Sequence, residues 1–481
     1  MAPVSQCGRE PSPGVAFPAR HRDEDEGPSV IAVPTKHDSG YEIAASGWHG
    51  TDDRAEMTTQ IGFTPPDFPA ADPAAPAPGP VRRRHVVYLP GYDPEAGKRY
   101  RALFAREFTR YAKRFALGTR SITRAETRPD GLVQTWTVEA GRGEAETRTT
   151  YQVLLWDDVV RADFRRPLIA SMALLTAGML HSLATGKLFR LYGLNWKYGN
   201  VILYPFGMVL ILGALAAFLG TGVAHLLAGW LPGFAAGLVG ALAGIGLVLA
   251  ATPLLDRIFL RQLINDWVFN WQHSNGWRRD YEDRLALFAD HVAGIVRAGE
   301  VDEVMIVGHS SGGLTAAEVA ARVLEKALPA APRLSLLTLG AGLPLVTINP
   351  RARRVRADVM RLVGSDRLVW ADYQAPQDWM NFPGFNPARD LGETPAGPVR
   401  NPAIRSTKFR EIIDPAVYRR ISFRPFRMHF QFLMANDLPG EFDFFALTLG
   451  PQALGERVLA PEIVPLRPET PPEPVPVHRE I

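Results

Sequence analysis

The sequence predicts an α/β fold in which a mostly parallel sheet, flanked by helices, carries an inserted two-helix transmembrane hairpin. Two observations support this prediction. Short aliphatic runs alternate with amphipathic helical patterns in both halves of the chain. Between these halves, residues 201–231 and 233–255 contain no charged side chain, and each run is long enough to cross a bilayer as a helix.

The composition restricts the class of protein. Lys and Arg number 53 and Asp and Glu 50, so the net charge is only +3, and the arginines are scattered. This pattern argues against a nucleic-acid partner. The only cysteine is Cys7, which excludes disulfides and cysteine-based metal sites and fits a reducing compartment. We expect no metal, no cofactor and, since no apolar N-terminal segment precedes a cleavage site, no secretory signal.

Three kinds of segment divide the chain. Residues 1–83 are rich in Pro, Ala, Gly and Asp and are predicted to be a disordered tail, while residues 461–481 contain PLRPETPPEPVPV and predict an extended, polyproline-like tail. The α/β domain is expected in two parts, 84–166 and 261–460. A membrane insertion, residues 167–260, separates them.

The first part begins with a short strand and a long helix. Residues 86–89 form an aliphatic run that Pro90 and Gly91 end. Aromatic and leucine side chains then recur at helical spacing from Tyr100 to Phe115, which predicts an amphipathic helix ending by Gly118. Three strand-like runs follow, and the last of them, TYQVLLW, ends at Trp156.

The stretch DEVMIVGHSSGGL, residues 302–314, predicts a nucleophile elbow. A buried strand leads into Gly308, Ser310 and Gly312, the pattern G-x-S-x-G, and an amphipathic helix follows. In such a turn the serine hydroxyl is exposed while the glycines let neighbouring backbone pass close by. An ordinary glycine-rich turn is the alternative.

Two transmembrane helices are predicted within the insertion, at 201–229 and 233–255. The second contains two G-x-x-x-G spacings, Gly233 with Gly237 and Gly240 with Gly244, which permit close helix packing. The strand that ends near Trp156 and the strand before the elbow are expected to pair in one sheet, which requires an even number of membrane crossings. Residues 168–184 are therefore expected to form an in-plane or core helix.

Basic residues predict the orientation of the hairpin. Arginines and lysines precede and follow the two spans, whereas the connection between them has none, so the sheet is expected in the cytoplasm, at the inner membrane of a multi-pass protein. Four tryptophans near these basic residues are predicted to be interfacial anchors, with packing in a core as the alternative: Trp196, Trp267, Trp271 and Trp277.

A serine nucleophile requires a base and an acid that orients the base. Where the serine lies on a strand-to-helix elbow of this kind, the chain order is Ser, then Asp or Glu, then His. Downstream of the elbow the chain has two histidines, His429 and His478, and the second lies in the proline-rich tail. His429, beyond a strand-like run at 421–423, is therefore the predicted base. Asp378, the first acid after a predicted strand at 368–373, is the predicted acid. The fallback acids are Asp372 and Asp366.

An anionic tetrahedral intermediate requires two backbone N–H donors. The residue after the nucleophile, Ser311, is expected to supply one. The loop after the first strand, PGYDP, is expected to supply the other from Tyr92 or its neighbour Gly91.

These motifs together resemble the α/β-hydrolase superfamily. They are LPGYDP after a strand, GHSSGG at an elbow, TLGAGLPL on the next strand, WADYQAPQD before the acid, and a late histidine. More narrowly they resemble its membrane-anchored bacterial lipase-like or esterase-like members, over residues 84–447 apart from the hairpin. Two departures are evident: no antiparallel edge pair precedes the LPGYDP strand, and the hairpin interrupts the region between the family's fourth and fifth strands.

The sequence thus predicts a serine hydrolase that cleaves the acyl esters of lipid-like substrates at the inner leaflet. The protein is also expected to contact membrane lipids. An acyltransferase, a thioesterase or a peptidase would use the same three residues, and an inactive membrane-tethered scaffold is a further alternative. The Pro- and Gly-rich stretch 382–402 is predicted to be a lid, a pocket wall or a surface loop.

Overall fold

In the computed structural model, which describes residues 79–141, 145–257 and 259–459, nine strands form one sheet. The spatial order is β2-β4-β5-β1-β6-β7-β8-β9, and β3 also pairs with β4. The strands are β1 Arg83–Leu89, β2 Thr119–Ile122, β3 Glu126–Thr127, β4 Val133–Gly141, β5 Thr147–Leu154, β6 Glu303–His309, β7 Arg333–Leu339, β8 Val369–Gln374 and β9 Ala403–Ser406.

The sheet is mixed, so the prediction of a mostly parallel sheet is wrong. The strands from β5 through β1 to β9 are parallel, but β4 is antiparallel to β2, β3 and β5. The reason is the length of the connections: β3, β4 and β5 follow one another after only a few residues, and short connections permit antiparallel pairing alone. The antiparallel edge is therefore built by chain that follows β1.

The strands on either side of the insertion, β5 and β6, belong to one sheet but do not pair with each other. Strand β1 lies between them and is parallel to both. Successive β1 side chains point to opposite faces, so Val87 and Leu89 enter one apolar core whereas Val86 and Tyr88 enter the other.

Helices cover both faces of the sheet. The prediction of a strand-like run at 421–423 is wrong, because Ile421 ends the helix Pro415–Ile421 and a turn follows it. The helices are α1 Ala96–Arg114, α2 Asp157–Phe164, α3 Leu168–Ala184, α4 Lys187–Leu194, α5 Trp196–Leu227, α6 Gly233–Arg257, α7 Leu260–Ser274, α8 Arg279–Ala298, α9 Ser311–Leu324, α10 Pro344–Thr347, α11 Arg353–Gly364, α12 Pro387–Asp390, α13 Phe409–Ile412, α14 Pro415–Ile421, α15 Pro425–His429, the 3₁₀ helix Phe430–Leu433, α16 Phe444–Leu449 and α17 Leu454–Leu459.

The predicted tails lie outside the described residues, except for 79–83. Here the backbone N–H of Val81 donates to the carbonyl of Pro451, and β1 begins at Arg83. The amino end of the sheet is then fixed by a fully buried ion pair between Arg84 and Glu303, with 2.7 Å between Nε and Oε2.

Two helices are long and apolar enough to cross a membrane. They are Trp196–Leu227, of 32 residues, and Gly233–Ala251, of 19 residues within α6, with mean hydropathy values of 2.3 and 2.2. They pack on each other through small residues. A Cβ on Gly240 would lie 2.2 Å from the Gly220 carbonyl oxygen, and one on Gly244 would lie 2.8 Å from that of Ala216. The second G-x-x-x-G pair therefore forms the helix contact.

Helix α3, Leu168–Ala184, bends by 102° from α2 and packs one face on α7. A Cβ on Gly178 would lie 2.8 Å from the Trp267 ring and 2.9 Å from the Trp271 ring. Trp267 and Trp271 are 6% and 7% exposed, so they are core residues and their prediction as interfacial anchors is wrong. Trp196 and Trp277 are exposed.

The hairpin contact predicts the effect of Gly240→Leu. Leucine at this position would meet the backbone of the facing helix, and we expect overpacking of this kind to cost about 1–3 kcal/mol of stability. Gly246→Leu is the matched control, because Gly246 is exposed on the same helix and nothing lies within 4 Å of a Cβ built there. Thermal unfolding in detergent, followed by tryptophan fluorescence, compares the two. Equal unfolding temperatures would contradict the observed packing.

Candidate active site

The elbow predicted at Ser310 joins β6 to α9 with a strained backbone. Ser310 has φ 61° and ψ −130°, a region that a residue with a side chain rarely adopts. Three backbone hydrogen bonds hold it there. Its N–H donates to the carbonyl of Leu339 at 3.0 Å, and its own carbonyl accepts from Gly313 at 2.9 Å and from Gly342 at 3.1 Å.

The two elbow glycines permit a close approach of three backbone segments. A Cβ on Gly308 would lie 2.1 Å from the carbonyl oxygen of Gly312, and a Cβ on Gly312 would lie 2.2 Å from that of Leu89. No side chain fits at either position. The start of α9 therefore lies directly against the end of β1.

The structure brings Asp378 and His429 into contact, although 51 positions separate them. Asp378 follows β8 in a turn closed by a 3.0 Å hydrogen bond from its N–H to the carbonyl of Ala375. His429 Nδ1 donates to Asp378 Oδ2 at 2.7 Å. The buried carboxylate also accepts from the Met380 N–H at 2.9 Å and from Asn381 Nδ2 at 3.0 Å, and these bonds fix its orientation.

His429 is not hydrogen-bonded to Ser310 through its second ring nitrogen. Its Nε2 is buried and has no hydrogen-bond partner among the described residues. Because Nδ1 carries the proton donated to Asp378, Nε2 has a free lone pair. Ser310 and His429 both line a cavity of about 50 Å³, which has room for a few water molecules.

The fallback acids lie elsewhere. Asp372 is buried in β8, where its carboxylate accepts from the Thr338 hydroxyl at 2.6 Å and from Gln374 Nε2 at 2.7 Å. Asp366 precedes the amino end of β8, whereas Asp378 follows its carboxyl end, so the two acids lie toward opposite edges of the sheet. His478 lies outside the described residues. Of the predicted acids, Asp378 is the one hydrogen-bonded to His429.

His309, the residue before the candidate nucleophile, positions His429. Its Nε2 donates to the His429 carbonyl oxygen at 3.0 Å, and the two ring centroids are 4.5 Å apart. Burial, reinforced by the nearby His429, holds the pKa of His309 well below its ordinary value. His309 is therefore neutral at physiological pH. The sequence gives no sign of this role, because the position is variable in the elbow pattern.

The candidate oxyanion donors lie on both sides of Ser310. Ser311 is the first residue of α9, where backbone N–H groups have no partner within the helix. A Cβ on Gly91 would lie only 3.3 Å from Ser310 Cβ, so the loop after β1 passes beside the hydroxyl. Gly91 and Tyr92 both line the cavity with Ser310, so the N–H of either residue is a candidate for the second donor.

The side chain of Tyr92 has a structural role. Its hydroxyl donates to Asp163 Oδ2 at 2.8 Å, and the same carboxylate oxygen accepts from Arg278 Nη1 at 2.7 Å. Gln262 Nε2 donates to the Tyr92 carbonyl at 2.8 Å. These bonds fix the loop that carries the candidate donor.

Asp266, a carboxylate that lines the cavity and bonds to Ser311, was not predicted. Its Oδ1 accepts from the Ser311 hydroxyl at 2.9 Å and from Asn270 Nδ2 at 3.2 Å. Burial raises the pKa of Asp266 from 3.8 to about 6. One signal was available, since Asp266 is the only acid in α7, but nothing in the sequence indicates that α7 lies beside the elbow.

The first apolar helix contacts the segment that carries Asp378. Asn195, the N-cap of α5, donates from Nδ2 to the Asn381 carbonyl at 2.7 Å, and the Tyr198 and Phe382 rings are 4.6 Å apart. Phe382 and Phe385 are buried in the core. The stretch 382–402 therefore begins with residues of the apolar core and not as an exposed loop.

One cluster away from the cavity has the donor atoms for a metal ion. His273, Glu282 and Glu318 each offer an atom within 4.8 Å of the others. Arg322 lies against the same carboxylates, 2.8 Å from Glu282 and 3.8 Å from Glu318, and supplies positive charge there. The arginine fits a buried ion-pair network better than a cation site.

Comparisons with known proteins identify no relative. No protein-family model, no curated protein and no solved structure matches the chain. The interpretation of the site therefore depends on its own geometry.

The buried Asp266 predicts a dependence of stability on pH. Because its pKa is raised in the folded state, the group favours folding at low pH, and this contribution is lost as the pH rises through about 6. Asp266→Asn removes the cost of the buried charge and keeps an acceptor for the Ser311 hydroxyl. We expect the variant to be more stable than the wild type at pH 8, by up to about 3 kcal/mol, with the difference vanishing near pH 4.

Thermal unfolding in detergent across this pH range measures the effect. Asp290→Asn is the control, because this carboxylate is exposed on α8 and should give no gain at pH 8. A difference between Asp266→Asn and the wild type that stays constant from pH 4 to pH 8 would show that Asp266 is not a buried, titrating group.

Proposed function

We propose that the chain is a serine hydrolase of the α/β-hydrolase type, which cleaves acyl esters of lipid-like substrates at the cytoplasmic face of a membrane. The observation that carries the proposal is the shared cavity. A serine with a strained backbone, Ser310, and an imidazole with a free Nε2 line it together, and the other nitrogen of that imidazole is bonded to a buried carboxylate.

In the first half of the reaction, Ser310 attacks the ester carbonyl carbon. The Oγ–C bond forms as the hydroxyl proton moves to His429 Nε2, and Asp378 stabilises the imidazolium through Nδ1–H. The N–H groups of Ser311 and of Tyr92 or Gly91 donate to the developing oxyanion. The bond from carbon to the leaving oxygen then breaks, and the leaving alcohol takes the proton from Nε2.

In the second half, a water molecule attacks the acyl group on Ser310. His429 Nε2 takes a proton from the water, a second tetrahedral intermediate forms, and the bond from Ser310 Oγ to carbon breaks as Oγ regains the proton. The product is the free carboxylic acid. The few water molecules for which the cavity has room are consistent with this step.

The membrane location and orientation are part of the same proposal. Two helices are long and apolar enough to cross a bilayer. Lys187, Arg190 and Lys197 precede or begin the first, and Arg261 follows the second, whereas residues 228–232 between them carry no charge. By the positive-inside rule this asymmetry favours a cytoplasmic α/β domain.

Labelling with a fluorophosphonate probe tests the nucleophile. The probe forms a covalent bond only with an activated serine, so the wild type should be labelled and Ser310→Ala should not. Ser311→Ala is the matched control, since it removes the adjacent hydroxyl and keeps the backbone N–H; it should still be labelled. Labelling of Ser310→Ala, or none of the wild type, would refute the proposed role.

Comparing two buried aspartates tests the orienting acid. Asp378→Asn should lower kcat on a soluble ester by about 10⁴-fold, because an amide stabilises neither the required tautomer nor the imidazolium. Asp372→Asn should retain most of the activity, since Asp372 bonds to Thr338 and not to the histidine. Steady-state kinetics, with fluorophosphonate labelling of each variant as a check on the site, separates the two. A larger loss for Asp372→Asn would reverse the assignment.

A further inference from the structure

A groove of about 770 Å³ lies next to the small cavity. Phe426 and Phe430 line both spaces and separate them. The rest of the groove combines arginines with apolar side chains, among them Arg99, Arg106, Arg424, Arg427, Leu103 and Met434. Its volume falls in the range of ligand sites, whereas the small cavity is too small for a long acyl chain.

Two of the four arginines are neutralised and two are not. Arg99 pairs with Asp93 at 2.8 Å, and Arg106 pairs with Glu107 at 2.9 Å. In the part of the chain that the structure describes, Arg424 and Arg427 form no ion pair, and Arg427 Nη1 donates to the neutral Gln431 at 2.9 Å. Burial lowers the pKa of Arg427, and the charges of Arg110 and Arg106 add to this effect. The nearby carboxylates of Glu107 and Asp437 raise the pKa but offset the lowering only in part, so the charged form of Arg427 is disfavoured. A bound anion would offset this cost.

The groove begins where the second apolar helix ends. Phe259, which lines it, follows α6 closely and stacks on Phe426 with ring centroids 4.1 Å apart. In the proposed orientation, the groove therefore lies at the cytoplasmic end of α6, on the side where a lipid would leave the bilayer. Basic side chains at this level of a cytoplasmic domain attract anionic lipids.

We infer that this groove binds an anionic phospholipid, the substrate class of the site. The phosphate lies against Arg424 and Arg427, one acyl chain lies along Leu103 and Met434, and the acyl ester reaches Ser310 past the rings of Phe426 and Phe430. His429 ends the same short helix, α15, that carries Arg427, so the base and the anion site are positioned together.

The inference rests on the proposed hydrolase function for its chemistry. Water cleaves one carboxylic ester of the phospholipid through the acyl-Ser310 intermediate, which yields a free fatty acid and a lysophospholipid. Binding of the lipid is separable from this reaction. It can be measured in a variant that performs no cleavage.

A binding experiment tests the inference in the full-length Ser310→Ala protein in nonionic detergent. The probes are fluorescent phosphatidylglycerol and phosphatidylcholine with identical acyl chains. We expect at least tenfold tighter binding of phosphatidylglycerol, and inorganic phosphate should not compete, because the acyl chain contributes to binding. Equal affinities for the two lipids, or full competition by phosphate, would overturn the inference.

Two pairs of substitutions locate the site. In the Ser310→Ala protein, Arg424→Gln together with Arg427→Gln should weaken phosphatidylglycerol binding about tenfold and leave phosphatidylcholine binding in place. Arg424→Lys together with Arg427→Lys keeps both positive charges and should retain most of the phosphatidylglycerol affinity. Arg419→Gln with Arg420→Gln, exposed on α14, is the matched control and should have no effect. Retained discrimination in the Gln pair would overturn the inference. A Gln pair that binds neither lipid is misfolded, and the Lys pair then decides.

The outcomes for the two proposals are distinguishable. If the wild type is not labelled by a fluorophosphonate and cleaves neither lipid, the hydrolase function fails, and the binding result alone decides whether the groove takes an anionic phospholipid. If the wild type cleaves soluble esters but shows no preference for phosphatidylglycerol over phosphatidylcholine, the substrate class fails and the hydrolase function stands.

Discussion

The close approach of β1, β6 and α9 is the constraint on which the candidate site depends. Gly308 and Gly312 allow backbone contacts that any side chain would block, and the contact with the Leu89 carbonyl fixes the start of α9 at the end of β1. With these contacts in place, Ser310 has to adopt its positive φ, at a cost of about 1–3 kcal/mol. The hydroxyl is thereby presented at the edge of the sheet, next to the loop that contains Gly91.

The remaining parts of the site are held by hydrogen bonds between segments that are distant in sequence. His309 bonds to the backbone of His429, whose ring bonds to Asp378. On the other side of the cavity, Asp266 accepts from the Ser311 hydroxyl. Ser310, His429 and Asp378 are thus held by separate elements of the chain.

The sequence was sufficient for those features that a local pattern or chain order determines. The buried strand and the glycines indicated the elbow, and chain order led to His429 and Asp378, which the structure places in contact. Tertiary contacts determine the rest. The insertion of β1 between β5 and β6 follows from strand pairing, and the burial of Trp267 and Trp271 follows from the packing of α3, neither of which a single-sequence pattern encodes. The antiparallel direction of β4 follows instead from short connections, which the sequence does contain.

The hairpin of the two apolar helices, α5 and α6, is better understood as part of the proposed site than as an attached anchor. The hairpin and the helices around it connect the carboxyl end of β5, at the edge of the sheet that carries Ser310, with the amino end of β6, at the opposite edge. Contacts at both ends of the hairpin relate it to the site. Asn195 at its start bonds to the segment that holds Asp378, and Phe259 after its end stacks on Phe426, which lines the cavity. Helix α7, which follows directly, contributes Asp266. An anchor needs none of these contacts, whereas an enzyme that takes its substrate from the bilayer requires its entrance to be fixed relative to its nucleophile.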